Sequence, residues 1–375
     1  MGKKNTVAVV AAAVLAGLVT AAGPAQAVGT VGCTPEIRTL QALPVGAVLD
    51  GGTVSDLGRA DLAVGTSKGL PVYWTGTTVH AVPLPDGWTG GQVSSVSDGG
   101  LMVGTLQRDM DTTVAFSYRP GDAAVKLLTA PGRRASSVAV NEGGRIATSE
   151  NGIAKEWVNG KLVRELPLPA DAFPGSKLSV TAINKRGDIL GHLRGEFYDQ
   201  ENDQNVVRLH PVVWPAGGYP PYSLRAWNEE AQIHSTIGTG IDERGRVVGH
   251  EWTSWRELRQ HRPATWKKPY DALPTEPGRL AGEPELALEG TSPTSGVAVG
   301  YASSYEELWT ASTQPAYWPG KGPVLTLPGG DGPRRGSAKT VTDDDRVGGT
   351  LLDANGLGSP TVWTCASKQA HLPQA

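Results

Sequence analysis

The chain has 375 residues, of which 49 are glycine and 28 proline, together about a fifth where an average protein carries roughly 12%. Charged residues make up 19%, the net charge is −3, and 11 tryptophans stand against three phenylalanines. Glycine and proline are the poorest helix formers, so a coiled coil and a long-helix protein are excluded, and the scarcity of charge with 39% hydrophobic residues excludes a charge-rich disordered chain.

The N-terminus reads as a leader. Lys3 and Lys4 precede an uncharged apolar run over residues 7–22, and Ala25-Gln26-Ala27 supplies a small-x-small cleavage site. This predicts a signal peptide over residues 1–27 and a single domain over residues 28–375, secreted and either extracellular or wall-associated. No later run is long enough to span a bilayer as a helix. The remainder is mildly acidic and lacks the clustered Lys and Arg that neutralise phosphates, so nucleic acid is not an expected partner.

One unit then recurs along the chain: an apolar residue, Asn or a substitute, two polar residues, Gly, a variable residue, two apolar residues and Gly. Seven copies end at residues 65, 104, 148, 191, 249, 300 and 349. Ile183-Asn184-Lys185-Arg186-Gly187-Asp188-Ile189-Leu190-Gly191 is the clearest, and residues 57–65 are the weakest. Asn-x-x-Gly is a tight turn because both residues tolerate positive φ. The flanking apolar pairs read as half-buried strands. Each copy leads to an aromatic: Trp74, Tyr118, Trp157, Trp214, Trp266, Trp318 and Trp363. A turn and a short segment ending in Leu-Pro follow, as at Leu84-Pro85, Leu166-Pro167 and Leu327-Pro328. The repeats centre on residues 57–85, 96–131, 140–169, 183–227, 241–286, 293–328 and 342–373.

About four strands per repeat cannot bury both faces of one sheet, whereas a ring of such sheets can. The expected fold is all-β, a seven-bladed β-propeller of four-stranded blades, with six or eight blades as the neighbouring alternatives. The in-register tryptophans become wedges between blades.

These residues resemble the secreted bacterial HAF-type extracellular repeat, with its Asn-x-x-Gly-x-Val-Val-Gly core, His-Ala-Phe-x-Trp segment and Leu-Gly-Gly-like tail. The segments that match are His210-Pro211-Val212-Val213-Trp214, Arg262-Pro263-Ala264-Thr265-Trp266 and residues 324–330. No copy has the complete His-Ala-Phe. The resemblance implies a propeller-like extracellular domain and carries no catalytic residues.

Cys33 and Cys365 are the only cysteines. A lone pair in a secreted chain reads as a disulfide. In a ring the first and last segments are neighbours, so residues 33–44 are expected to complete or flank the last blade, clasped by this bridge. Closing so long a loop corresponds to about 5–6 kcal/mol in the chain-entropy model.

Function is less legible. The distances from repeat glycine to aromatic are 9, 14, 9, 23, 17, 18 and 14 residues, so repeats four to six carry long insertions on one face. Loops on a rigid scaffold commonly carry binding. Off-register aromatics beside charged residues mark the expected ligand-binding set: Tyr198, Asp199, Trp227, Trp252, Trp255, Arg256, Tyr305, Glu306 and Trp309. The competing reading is that these segments fold back over the ring, for instance as short helical turns over residues 255–260. The expected role is non-enzymatic binding of an extracellular protein or polysaccharide by a monomer. The alternatives are a propeller hydrolase or lyase acting on extracellular polysaccharide, and a structural envelope protein. Gly65-Thr66-Ser67-Lys68-Gly69 matches a nucleophile elbow, but an aromatic-ended strand follows where a helix is needed. Asp353-Ala354-Asn355-Gly356 and Asp343-Asp344-Asp345 hint at calcium without a full ligand loop. No catalytic residue, metal ligand or cofactor is therefore assigned.

Overall fold

A computed structural model describes residues 32–44, 51–109, 111–132, 134–199, 203–227, 234–255, 258–304, 313–329 and 336–373. The signal peptide expected over residues 1–27 lies outside them. Seven antiparallel sheets follow one another along the chain. Their innermost strands are Thr53–Leu57, Gly90–Val96, Ala135–Val140, Lys177–Ile183, His234–Ile241, Glu285–Thr291 and Ser337–Val341, which number blades 1 to 7. Six blades have four strands. Blade 5 has three, and its outer edge is reduced to one bridge between Thr265 and Thr275. The weakest repeat in the sequence forms a full blade, Thr53–Ala81.

The ring closes through the N-terminus. Strand Glu36–Thr39 pairs with Gly358–Thr364 and serves as the fourth strand of blade 7. Cys33 and Cys365 are bonded across a sequence separation of 332.

Every copy of the turn places one residue in the left-handed region: Ala60, Gly100, Gly144, Gly187, Gly245, Gly296 and Asp345. The Asn of the motif does more than turn the chain. Asn141 Nδ2 donates to Asn184 O of the next blade at 2.9 Å, and Asn184 Nδ2 donates to Asp242 O at 3.0 Å. Blade 7 uses Arg346 instead, donating to Gly58 O at 2.8 Å and to Ala60 O. Asp345 also holds the C-terminal helix Ala366–Gln369: its carboxylate accepts from Ser367 N at 3.0 Å and Ser367 Oγ at 2.6 Å.

The repeat glycine answers to a bulge. Six innermost strands carry one extra residue, namely Ser55, Ser94, Thr181, Thr239, Glu289 and Lys339. The bulge presses the strand against its neighbour. A Cβ on Gly65, Gly104, Gly191, Gly249, Gly300 or Gly349 would lie 1.8–2.1 Å from a carbonyl oxygen of that strand. Blade 3 has Thr148 in the glycine position, and there the irregularity has moved to Ala135/Ser137.

The in-register aromatics sit opposite the residue two before that glycine position in all seven blades. Trp74, Trp214, Trp266 and Trp363 are at most 2% exposed. Their indole N–H groups donate to Gln41 O, Pro167 O, Arg225 O and Pro328 O, in the last segment of the preceding blade, at 2.7–2.9 Å. Gln41 follows Leu40, which therefore stands in the repeat position held by Leu166 and Leu327. Leu40 N, Val82 N, Leu166 N and Leu327 N make matching bonds to third strands, so blade 1 uses Val82-Pro83 and not Leu84-Pro85.

Candidate functional site

The channel along the ring axis holds about 840 Å³. Its wall is the set of bulged residues, with Ala139 in blade 3. The lining is hydroxyl-rich and asymmetric: among these seven positions only Glu289 and Lys339 are charged, and they pair at 3.2 Å. Asp56 lies deeper. It accepts from Leu57 N, Val96 N, Ser95 Oγ and Thr340 Oγ1 at 2.9–3.1 Å, joining blades 1, 2 and 7. Burial raises its pKa, opposed by those four bonds. At the turn-face mouth Arg59 pairs with Asp98 at 2.7 Å and Lys185 with Glu142 at 3.0 Å. Burial raises the Glu243 pKa there, and nearby Glu142 adds to the rise.

The opposite face carries the connections between second and third strands. The long insertions of repeats four and five are not irregular loops. Strands Ile189–Asp199 and Gln204–Trp214 pair without a break along their length, as do Val247–Trp255 and Leu258–Trp266. The sequence alternates well enough at Leu193-Arg194-Gly195-Glu196-Phe197 for this, and strands ending at Trp255 and beginning again at Leu258 stand where helical turns were expected over residues 255–260. Both hairpins extend the blade beyond its neighbours.

The predicted set is only partly brought together. Tyr198 is 53% exposed near the tip of the blade 4 hairpin, and its hydroxyl donates to Asp203, which raises its pKa. Asp199 and Trp255 end their strands. Trp227 packs against the cluster between blades 4 and 5 under Arg262, whose guanidinium carbon is 3.8 Å from the ring centroid. Arg262 in turn pairs with Glu276 at 2.6 Å, so one face of Trp227 is covered by an anchored guanidinium. Trp252 is half-buried and opposite His261. Arg256, Tyr305, Glu306 and Trp309 lie outside the described residues.

Two groupings on this face were not singled out by sequence. At blade 4 a cavity of about 210 Å³ is lined by Asp171, Phe173, Leu193, Arg208, His210, Ser223, Leu224 and Arg225. At blades 5 to 7, His250 and His261 meet edge to face at 4.9 Å, and the Tyr301 hydroxyl is 3.5 Å from His261 Nε2. Lys339 Nζ is 6.0 Å from the Tyr301 ring centroid. Burial pushes the Tyr301 pKa up, with Glu289 and Glu285 adding to it, so its proton is firmly held. Burial holds the His250 pKa down to about 4. His192, His250 and Tyr301 share the position after the repeat glycine, a periodicity that could have revealed this cluster.

Other motifs resolve as structure. Ser67 is fully buried and accepts from Leu43 N at 3.0 Å, within a hairpin rather than a nucleophile elbow. Asp343 caps Thr294 N and Ser295 N of blade 6, and Asp353 Oδ1 accepts from Asn355 N and Leu357 N of its own turn. Among the described residues no three His, Cys, Asp or Glu side chains converge to hold a metal ion. None of the described helices is long and apolar enough to cross a membrane.

These features define a seven-bladed β-propeller closed by its own N-terminal strand. No protein-family model matches the chain, and no curated protein matches it. Solved structures share the fold. The β-propeller domain of the Trilobed protease from Pyrococcus furiosus is 12% identical, with 84% of this chain and 96% of that one covered and a TM-score of 0.51. A polysaccharide lyase, the PL25 ulvan lyase, is 10% identical over 87% of this chain and 96% of its own, TM-score 0.50. The Pyrococcus horikoshii acylaminoacyl peptidase is 11% identical with a TM-score of 0.50, and this chain spans about half its length.

Proposed function

We propose that the chain is a secreted binding propeller of the HAF-repeat type, a monomer that holds an extracellular polysaccharide or protein on the hairpin face of blades 4 to 6. The observation that carries this reading is the pair of extended hairpins, Ile189–Trp214 and Val247–Trp266, standing on one face of an otherwise regular ring. Rigid strands hold a ligand surface with less ordering cost than loops. The Cys33–Cys365 bond and the signal-like leader support secretion. The fold does not choose the ligand, because propellers serve proteases and a lyase alike. A screen of the secreted protein against wall glycans and culture-supernatant proteins tests the reading. Trp252→Ala should weaken any binding found; a panel with no binder would refute it.

A second reading, a hydrolase or lyase acting on extracellular polysaccharide, is favoured by the His250–His261–Tyr301 cluster next to Lys339 and Glu289. A proton-holding phenol within reach of His261, itself packed on the neutral His250 ring, is an acid–base arrangement, and Lys339 offers a cation. Tyr301→Phe with folding intact should abolish turnover of a polysaccharide if this reading holds. Turnover unchanged in that variant would exclude the cluster as the catalytic group.

A further inference from the structure

We propose that the cavity at the base of the blade 4 hairpin takes the anionic group of an acidic sugar, a carboxylate or sulfate; this rests on the binding reading above and names its ligand chemistry. The cavity lies where the hairpin meets the connection from blade 3. Its floor is apolar: Leu193 and Leu224 are at most 1% exposed. Phe173 forms a wall, set edge to face on Phe197 at 5.1 Å. This aromatic pair needs Gly195, because a Cβ there would lie 2.7 Å from both rings.

Against this floor stand Arg208 and His210, two residues apart on strand Gln204–Trp214, and Arg225 from the segment after strand Tyr222–Ser223. Among the described residues lining it one carboxylate faces them, Asp171, and it already accepts from Ser223 Oγ at 2.6 Å. The cavity is thus locally basic in a chain of net charge −3. Arg208, His210 and Arg225 each also interact within the protein. A guanidinium presents five N–H donors in a planar fork, so an arginine with one such interaction still has donors for an oxyanion. Two forks over an apolar floor with an aromatic wall match the make-up of a small-ligand site, in which a few convergent polar groups set specificity. At about 210 Å³ the space is below the roughly 300–1,000 Å³ of drug-sized sites, and fits one sugar ring with its acidic substituent rather than a peptide segment.

The test is calorimetric titration of the full mature protein with three oligosaccharides of equal length: a polyuronate, a sulfated glycan and a neutral glucan. The expected result is binding of at least one acidic oligosaccharide, at least tenfold tighter than the neutral one. Arg208→Gln and Arg225→Gln should each weaken it tenfold or more. The polyuronate and sulfated arms separate carboxylate from sulfate. A readout on unaltered protein guards against misfolded variants: saturating ligand should slow phenylglyoxal modification of Arg208 and Arg225 at least fivefold. Equal affinity for neutral and acidic glycans, or modification rates unmoved by a bound ligand, would overturn the proposal. So would failure of all three glycans to bind. Acidic binding that survives both arginine variants but is lost in Trp252→Ala would refute this cavity and leave the broader binding reading standing.

Discussion

His192 Nε2 accepts the backbone N–H of Gly238, in the innermost strand of the next blade, at 3.0 Å. That bond requires the ring to be unprotonated at Nε2, and burial holds the His192 pKa down to about 4. His250, at the same repeat position, is likewise held to about 4 by burial. Between about pH 6.5 and 4 the unfolded chain takes up these protons and the folded one does not. Stability contributed by the neutral rings is therefore lost as pH falls through that window. From the shifts, the loss approaches about 3 kcal/mol per histidine at pH 4. Asp56 acts in the opposite sense, since its raised pKa favours the folded state as pH falls. Urea unfolding at pH 7, 5.5 and 4 should show a steep fall in the native protein and a shallower one in His192→Gln, whose amide oxygen can still accept from Gly238. Parallel profiles would contradict the assignment.

The bulge–glycine pairing predicts a sharp difference among repeat positions. In Gly249→Ala the new Cβ would lie 1.9 Å from Ile237 O, which is backbone and cannot move aside cheaply. The expected cost is about 3 kcal/mol or more, as for severe overpacking. Gly100→Ala, whose Cβ would meet nothing within 4 Å, pays only for its φ of +72° and should cost about 1 kcal/mol. Denaturant midpoints of the two variants check this order.

The Cys33–Cys365 bond ties an N-terminal strand of four residues to blade 7. Lys368 Nζ on Cys33 O at 3.1 Å and Gln369 Nε2 on Glu36 O at 3.2 Å add only exposed polar contacts. Closure of a 332-residue loop is worth about 6 kcal/mol in the chain-entropy model. The paired substitution Cys33→Ser with Cys365→Ser should therefore lower stability by several kcal/mol. Hydrogen exchange should rise first over residues 36–39 and 358–364. A loss of protection spread evenly over all blades would contradict a local clasp.

Much of this was legible because the repeat repeats its physics. The Asn-x-x-Gly spacing located all seven turns, including the degenerate ones at Ala60 and Asp345, and the aromatic register matched the strand pairing in every blade. What the pattern hid was relational. Asn184 looked like a turn residue, yet its side chain also reaches Asp242 O, a partner 58 residues away. The bulges that line the channel change only pairing, not spacing. Their trace was the glycine opposite them, which reads as a turn or flexibility signal when taken alone. Trp227 resembled a free ligand platform because nothing in its neighbourhood announces Arg262. The blade 4 cavity gathers Phe173, Arg208 and Arg225 from three segments of the chain, so no local motif could mark it.

The central claim is that the hairpin face binds. It is tested by replacing residues 195–208 with an Asn-Gly turn, which joins Arg194 to its cross-strand partner Leu209. The measurement is binding of the trimmed and intact proteins to the same extracellular ligand, alongside their thermal midpoints. The account predicts an unfolding midpoint within a few degrees of the intact protein and binding weakened at least a hundredfold. Full-strength binding by the trimmed protein would contradict a site on the blade 4 hairpin and move it to the blade 5 hairpin, the channel or the turn face.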